Sequence, residues 1–336
     1  MADLSWLTRE FIADQRRDLP IALTPADCQG KTYIVTGANI GLGKGLAEWL
    51  VRLGSARVIM AVRNTASGEN AKREIEKATG KKGVASVWEL DLGKWESVKA
   101  FAKRANEELD RIDSLIENAA IGLERWTWAE DHETCIKVNA LSTMLLGVLL
   151  LPKMIDTGKR FGTVPHLVFV GSNAAWLVKN EFAKVQDGSV LKGLDTQGKT
   201  NMDLRYPLSK LIQMLAVFRF ARLFPPSRTG VVINLLSPGL VKSGISRHGK
   251  FVTRAFMGTL NFLFARTPEM AARSIIHAMQ LGEEGHGAYV SDCKIKSHEV
   301  PDWIGGPEGE KTQDKLWDEI AQELEKAAPG CLEKLP

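Results

Sequence analysis

The stretch KTYIVTGANIGLGKGLAEWLVRL, Lys31–Leu53, changes character twice. Tyr33-Ile34-Val35 is a short β-branched and aromatic run. Gly37, Gly41 and Gly43 follow at G-x-x-x-G-x-G spacing, and Leu42, Leu46, Trp49, Leu50 and Leu53 then recur at helical offsets. Strand, glycine turn and helix in that order suit a pyrophosphate cradle. Glycine lets the backbone turn tightly and approach the phosphates, and the helix start offers free N–H groups at a positive dipole end. The expected cradle is Gly37, Asn39, Ile40, Gly41, Leu42 and Gly43. A glycine turn alone serves any tight strand-to-helix connection, so the next strand has to decide what this one holds.

Outward from that stretch the chain keeps alternating. Val58–Val62 reads as a second strand ending at Arg63-Asn64, Thr65–Thr79 as a helix, and Val84–Leu90 as a third strand leading to Asp91-Leu92. Lys94–Leu109 is a helix pattern built on Trp95, Val98, Phe101, Ala102 and Ala105. Ser114–Ile116 is a fourth strand before Glu117-Asn118-Ala119-Ala120, and Glu130–Ile155 a long helix containing Asn139. His166–Val170 is a fifth strand delivering Gly171-Ser172. A polar insertion, Asn173–Arg205, separates it from a helix over Tyr206–Leu223, and Val231–Leu236 is a sixth strand closed by Ser237-Pro238-Gly239. Strands alternating with helices demand a parallel sheet covered on both faces, and such sheets bind ligands at the carboxyl ends of their strands. The predicted class is α/β, a single doubly wound domain over 31–292, with an N-terminal helical extension over 1–30. A polar C-terminal extension over 293–336 ends in an amphipathic helix on Trp317, Ile320 and Leu324.

With 336 residues, 44% of them apolar, the chain has material for one large core. Its 44 basic and 40 acidic residues are dispersed, so no basic block suits nucleic acid. Cys28, Cys135, Cys293 and Cys331 lie far apart without metal-type spacing, and the histidines form no paired-ligand pattern. Reduced thiols and no metal site are expected. Met1–Asp18 is too charged for a signal-peptide core, and the most apolar run, Met144–Pro152, is far below the ~20 residues that span a bilayer. A cytoplasmic protein without a transmembrane segment is expected. The apolar face of Leu4, Leu7, Phe11 and Ile12 packs on the domain edge or, alternatively, makes weak peripheral membrane contact.

In dinucleotide folds that prefer NAD, an acidic side chain roughly 20 residues after the glycines receives the ribose hydroxyls. Here that strand ends Ala61-Val62-Arg63-Asn64, with no carboxylate. Arg63 can form charge-assisted hydrogen bonds to a 2′-phosphate, which a carboxylate would repel, so NADP(H) is the expected cofactor. The alternative is a surface arginine that merely ends a strand. Asp91 and Leu92 would lie beside the adenine, and Asn118, Ala119 and Ala120 along the next part of the cofactor. Each alone could be a turn residue, an aspartate after a strand being a common helix cap. Their recurrence at successive strand ends is what singles them out.

Tyr206-Pro207-Leu208-Ser209-Lys210 places a tyrosine and a lysine one helical turn apart on the same face, in a chain with only three tyrosines. A free phenol has a pKa of ~10, and a nearby ammonium stabilises phenolate. Lys210 is therefore expected to pull Tyr206 down, making it a proton donor or acceptor for a substrate oxygen near neutral pH. Ser172 can hydrogen-bond the same oxygen. Asn139, a poor helix-interior residue, is expected to tether a water or a backbone carbonyl near Lys210.

Together these residues resemble the short-chain dehydrogenase/reductase family. The resemblance rests on TGANIGLG at Thr36–Gly43, Asp91, Asn118-Ala119-Ala120, Asn139, Gly171-Ser172, YPLSK at Tyr206–Lys210 and Ser237-Pro238-Gly239, and it runs from about Gly30 to Ser291. It implies a Rossmann-fold oxidoreductase with Asn139, Ser172, Tyr206 and Lys210 as the catalytic four. Tyr206 would be the acid/base and Ser172 would orient substrate. Lys210 would tune the tyrosine and hold the nicotinamide ribose, and Asn139 would organise a proton-relay water. Pro238, Gly239, Val241 and Ser243 would flank the nicotinamide, Ser243 standing where the family usually has threonine. Homo-oligomers built on the long helices are usual for such relatives. Two features depart from the pattern. The family's N-N-A-G reads Glu117-Asn118-Ala119-Ala120, and Ser172 and Tyr206 stand 34 positions apart, a longer spacing than usual. The long loop and Val58–Asn64 look most like the retinol-dehydrogenase, WW-domain-oxidoreductase and protochlorophyllide-reductase branch.

Leu240–Phe264 mixes Phe251, Phe256, Met257, Leu260, Phe262 and Leu263 with basic residues, and is expected to form a substrate lid over 240–264. With Trp176 it suggests a sizeable, largely hydrophobic substrate such as a polyketide, terpenoid, steroid or retinoid ketone; simple packing of the lid on the domain is the alternative. The expected activity is NADP(H)-dependent ketone reduction, or secondary-alcohol oxidation, in specialised (secondary) metabolism. The alternatives are a C=C or C=N reductase on the same scaffold and a catalytically silent NADP-binding regulator.

Overall fold

The computed structural model describes residues 9–242 and 264–336. An eight-stranded sheet forms its centre: β1 (Thr32–Thr36), β2 (Arg57–Val62), β3 (Ala85–Glu89), β4 (Ser114–Glu117), β5 (His166–Val170), β6 (Val232–Ser237), β7 (Tyr289–Ser291) and β8 (Lys294–Ile295). The strands lie in the order β8-β7-β6-β5-β4-β1-β2-β3, parallel except for the antiparallel β7–β8 edge pair. β1 has β2 on one side and β4 on the other, Tyr33 standing opposite both Val58 and Ser114. The chain therefore reverses its direction of winding at β1, and the loops after β1 and β4 diverge to leave a crevice at the carboxyl edge.

Helices cover both faces because the parallel strands are apolar on both. On one face lie α2 (Gly41–Arg52), α3 (Thr65–Thr79) and α7 (Pro268–Ala278), burying Leu46, Leu50, Ile75 and Ile275. On the other lie α4 (Trp95–Glu108), α5 (Thr134–Phe161), α6 (Arg205–Leu223) and α8 (Pro307–Ala327), burying Phe101, Met144, Leu211 and Trp317. α3 shows how locally these helices are specified. Asn64 Oδ1 accepts the Ser67 N–H at 2.9 Å as N-cap, and Gly80 ends the helix in the left-handed region at φ 71°. α5 is long and apolar enough to cross a bilayer, yet its apolar side chains face the core.

Three stretches differ from the sequence reading. The long helix does not begin at Glu130: Trp128–Ala129 and His132–Glu133 pair as a small hairpin turning through Glu130 at φ 53°. The helix starts at Thr134, where the Glu133 carboxylate accepts the Cys135 and Ile136 N–H groups. The polar insertion is a packed part of the main body. Its short helical turns bury Val178, Phe182, Val185, Val190, Leu191 and Leu194 in the α6-side core, at spacings too irregular to read as one helix. Within 31–292 but beyond the six strands read from the sequence, β7 joins the sheet beside β6.

α8 clamps that body. Trp317 packs on Phe220 of α6 with ring centroids 5.4 Å apart, and the Glu319 carboxylate accepts the Val190 and Leu191 N–H groups at 2.8 Å each. Trp317→Ala is expected to cost about 3–5 kcal/mol, the usual range for a buried large aromatic, and the midpoint of urea unfolding should fall accordingly. An unchanged midpoint would show that α8 is an appendage.

Candidate active site

The crevice at the carboxyl edge is a cleft of roughly 1900 Å³. Its floor begins where β1 and β4 end. The Thr36 hydroxyl oxygen accepts the backbone N–H groups of Asn118 and Ala119 at 2.9 Å each, and the Asn118 side-chain amide donates to Thr36 O at 2.8 Å. Gly37 (φ 67°) turns the chain so closely over Ala119 that a Cβ there would stand 3.0 Å from the Ala119 Cα. α2 then starts without a side-chain cap, leaving its first N–H groups directed at the cleft from a positive dipole end. These residues fit a dinucleotide pyrophosphate.

Gly37, Asn39, Ile40, Gly41 and Leu42 line the cleft. Gly43 does not, contrary to the cradle expected from the spacing. A Cβ on Gly43 would meet Asn118 Nδ2 at 2.5 Å and Gly37 O at 2.6 Å, so its role is to let α2 pack onto the turn. Arg63 and Asn64 line the cleft at the end of β2. Arg63 is exposed and has no carboxylate partner among the described residues, whereas the Asn64 side chain caps α3. Asp91, Leu92, Asn118, Ala119 and Ala120 follow along the same wall, with Asp91 Oδ1 accepting the Gly93 N–H at 3.0 Å. Pro238, Gly239 and Val241 close the far side. Ser243 and most of the expected 240–264 lid lie outside the described residues.

Ser172, Tyr206 and Lys210 face the same cleft. Tyr206 sits half-buried in the first turn of α6, while Lys210, one turn on, is buried. Lys210 Nζ donates to Val170 O at 2.7 Å and to Gln213 Oε1 at 3.0 Å. Burial pulls its ammonium down to about 7, against an upward pull from Glu117. Burial also pushes the Tyr206 phenol up to about 12. The expected lowering of Tyr206 by Lys210 is therefore absent, because the lysine is itself desolvated and spends its donors elsewhere. Ser172 Oγ accepts the Ala174 N–H at 3.2 Å, which leaves the hydroxyl proton available to the cleft.

Asn139 does not line the cleft. It stands in a π-helical turn, Lys137–Leu141, and its side chain accepts the Ile121 N–H and donates to Ile121 O and Ser209 Oγ, all at 2.8 Å. It ties the loop after β4 to the Tyr206 helix without reaching Lys210.

The sequence reading missed the outer wall. Tyr289, Ser291, Asp292, Lys296 and His298 line it, as do Phe11, Asp14 and Gln15 of α1 (Arg9–Gln15). Tyr289 packs against Trp176 with ring centroids 5.4 Å apart and the rings inclined at 56°. The Gln15 side chain donates to Leu240 O at 2.9 Å and to Phe264 O at 3.1 Å, and accepts the Leu240 N–H. The β-prone run Tyr289-Val290 after Gly287 was a readable signal; the Gln15 contacts had none.

Comparison with known proteins agrees with this geometry. The family model "short chain dehydrogenase" matches residues 31–184. The short chain dehydrogenase/reductase dmxR8 of Cryptosporiopsis is 38% identical over 304 residues, covering 90% of this chain and 92% of that protein. An uncharacterized protein of Mycobacterium paratuberculosis shares the fold with a TM-score of 0.64 at 24% identity, covering 90% of this chain and 97% of that one. A short chain dehydrogenase of Shigella flexneri 2a, solved with NADP, shares it with a TM-score of 0.55 at 19% identity, covering 80% and 99%.

Gly43→Ala is expected to force α2 off the turn, weakening nicotinamide dinucleotide binding and lowering the unfolding midpoint together. Binding by fluorescence titration and a urea melt check this; an alanine tolerated in both would contradict the packing role.

Proposed function

As the chain belongs to the short-chain dehydrogenase/reductase family, we propose that it is an NADP(H)-dependent ketoreductase acting on a sizeable, largely apolar small molecule, of the kind specialised metabolism produces, with alcohol oxidation as the reverse reaction. The observation that carries this reading is the single cleft shared by Tyr206, Ser172 and Lys210 with the glycine bend and the start of α2.

When bound, a reduced nicotinamide supplies the hydride. The chain's own residues handle the oxygen. A phenol held at about 12 is protonated throughout the neutral range, so Tyr206 gives its proton to the oxygen as the carbonyl carbon is reduced. The Ser172 hydroxyl donates to the same oxygen and withdraws charge from it. Lys210 stands one turn below Tyr206 to hold the ribose, and Asn139 fixes the start of α6 through Ser209. Arg63, at the end of β2 and without an acidic partner among the described residues, favours a 2′-phosphate. Trp176, Leu177 and Leu204 give the substrate end of the cleft its apolar surface. The reductive direction is favoured because the cellular NADP pool is mostly reduced.

Tyr206→Phe should lower NADPH-dependent ketone reduction by about 10²–10⁴-fold, the usual worth of a positioned acid, while NADPH still binds. Retained turnover would sink the enzymatic reading. Arg63→Ala should weaken NADPH by about 10–100-fold, the worth of a hydrogen bond to a charged group, and leave NADH nearly unchanged. Equal loss of both cofactors would remove the basis for NADP preference. Because the phenol must lose its proton to act as a base, alcohol oxidation should climb with pH across the range in which ketone reduction stays level. Initial rates in both directions against pH measure this.

A further inference from the structure

Beyond Ser237 the chain leaves the sheet, since Ser237 opposite Ser291 is the last register pair between β6 and β7. Pro238, Gly239, Leu240 and Val241 nonetheless line the cleft, so something other than the β6 ladder has to hold them. Two residues do it. Gln15 of α1 is buried, and its three hydrogen bonds among the described residues all run to main chain 225 or 249 positions away. The amide nitrogen donates to Leu240 O at 2.9 Å and to Phe264 O at 3.1 Å, and the oxygen accepts the Leu240 N–H at 3.2 Å. The Arg266 N–H donates to Leu240 O at 2.9 Å, and its guanidinium reaches Pro238 O at 3.4 Å and also donates to Asp14 O. Leu240 O therefore has both lone pairs engaged. Gly239, at φ 73°, makes room for the glutamine, because a Cβ there would collide with Gln15 Oε1.

We infer that Gln15 is a positioning residue of the active site: it fixes the wall 238–241, against which nicotinamide and ketone are set, without touching the reacting atoms. The inference rests on the reductase reading of the cleft. α1 does not need this glutamine in order to dock. Asp14 pairs with Lys296 at 2.8 Å, and just beyond the helix Arg273 binds Leu19 O at 2.7 Å and Asp18 at 3.2 Å. An apolar side chain would add to that docking without the cost of burying an amide. What the amide adds is direction, since each of its bonds ends on a defined backbone atom and two of the three end on Leu240. The turn so held shares the cleft with Tyr206, Ser172 and Lys210 and closes its far side. Hydride donor and carbonyl have to fit between, and a displacement of about 1 Å in such a site costs on the order of 10²-fold in rate. The phosphate end depends on other parts of the chain, Arg63 and the bend around Gly37.

The test uses the full chain with Gln15→Met, which keeps the side chain's length and removes all three bonds, and Gln15→Glu, which keeps the acceptor but turns an oxygen toward the two carbonyls. Arg273→Gln is the control, loosening the connector at Asp18 and Leu19 without a bond to the turn. Four quantities are compared: kcat and KM for a bulky aryl ketone that the parent reduces, NADPH affinity by tryptophan quenching, the urea midpoint, and amide hydrogen exchange over 237–242 in the cofactor-free protein. In both Gln15 variants kcat should fall by about 10–100-fold, with the NADPH dissociation constant within about threefold of the parent's. The Leu240 amide should exchange faster in Gln15→Met, having lost its acceptor. Arg273→Gln should keep the parent's kcat and exchange. Parent kcat in either Gln15 variant, an equal loss of kcat in Arg273→Gln, or failure of both Gln15 variants to fold would each overturn the inference and leave the glutamine a tether of α1. Tyr206→Phe in the same series separates the two readings. If it stays active, the reductase reading fails and the inference with it; if it is inactive while the Gln15 variants run at the parent's rate, only the role of Gln15 fails.

Discussion

The hydroxyl of Thr36 holds two diverging loops together at the point where the sheet reverses its winding. It accepts the N–H groups of both Asn118 and Ala119 at 2.9 Å, which uses its two lone pairs. Its one proton lies within reach of Ile116 O at 3.2 Å and Glu117 Oε2 at 3.4 Å. A single side chain thus fixes how far apart the loops after β1 and β4 stand. Gly37 and Gly43 are then obliged by distance, because any Cβ at either would strike the loop that Thr36 has drawn in. The cleft owes its width to this stitch, and the free N–H groups of α2 owe their aim to it.

Burial dominates the electrostatics beyond the stitch. Tyr206, Lys210 and Glu117 all move in the direction desolvation dictates, the two acids up and the base down. A YxxxK spacing suggests a cation acidifying a phenol, but spacing carries no information about depth. At this depth the lysine's own charge is costly, and its donors go to Val170 O and Gln213. A protonated phenol suits donation to an oxygen that gains negative charge.

Much of this was legible in the sequence, for a physical reason. β1, β2, β5, α2 and α3 are specified by short-range signals: apolar runs, a glycine turn, the Asn64 cap and the Gly80 stop. Such signals do not depend on what packs later. Arg63, Asp91, Asn118, Ser172 and Gly239 could be named as lining the cleft because parallel sheets put their polar strand ends in one place, whereas the loop residues between them, such as Ile121–Glu124 and Asn201–Leu204, were not named. The reading failed where tertiary context decides. The hairpin through Glu130 rests on a non-glycine residue at positive φ, held by Glu130 Oε2 accepting from Lys137 and from the Trp95 N–H. The packed insertion draws its core from short turns. Asn139 showed as misplaced in a helix, but that its partners would be Ile121 and Ser209 depended on a fold not yet known.

The outer wall adds a constraint on what can enter. Lys296 is bonded to Asp14 at 2.8 Å, Glu299 at 2.9 Å and Asp292 at 3.2 Å, and Arg266 holds Asp292 at 2.6 Å. These charges belong to α1, to the segment before α7 and to the chain around β8, so their pairing draws three distant parts of the sequence into one rim. Because they neutralise one another, they offer little unpaired charge to a ligand at this end, where an ionised substrate would have to break a pair to gain one. Arg63, which has no carboxylate partner among the described residues, stands on the opposite side of β1, at the end of β2. The sheet's own order thus sets an end of the cleft that carries the Arg63 guanidinium against an end, with Trp176 and Leu177 beside it, whose charges are already paired.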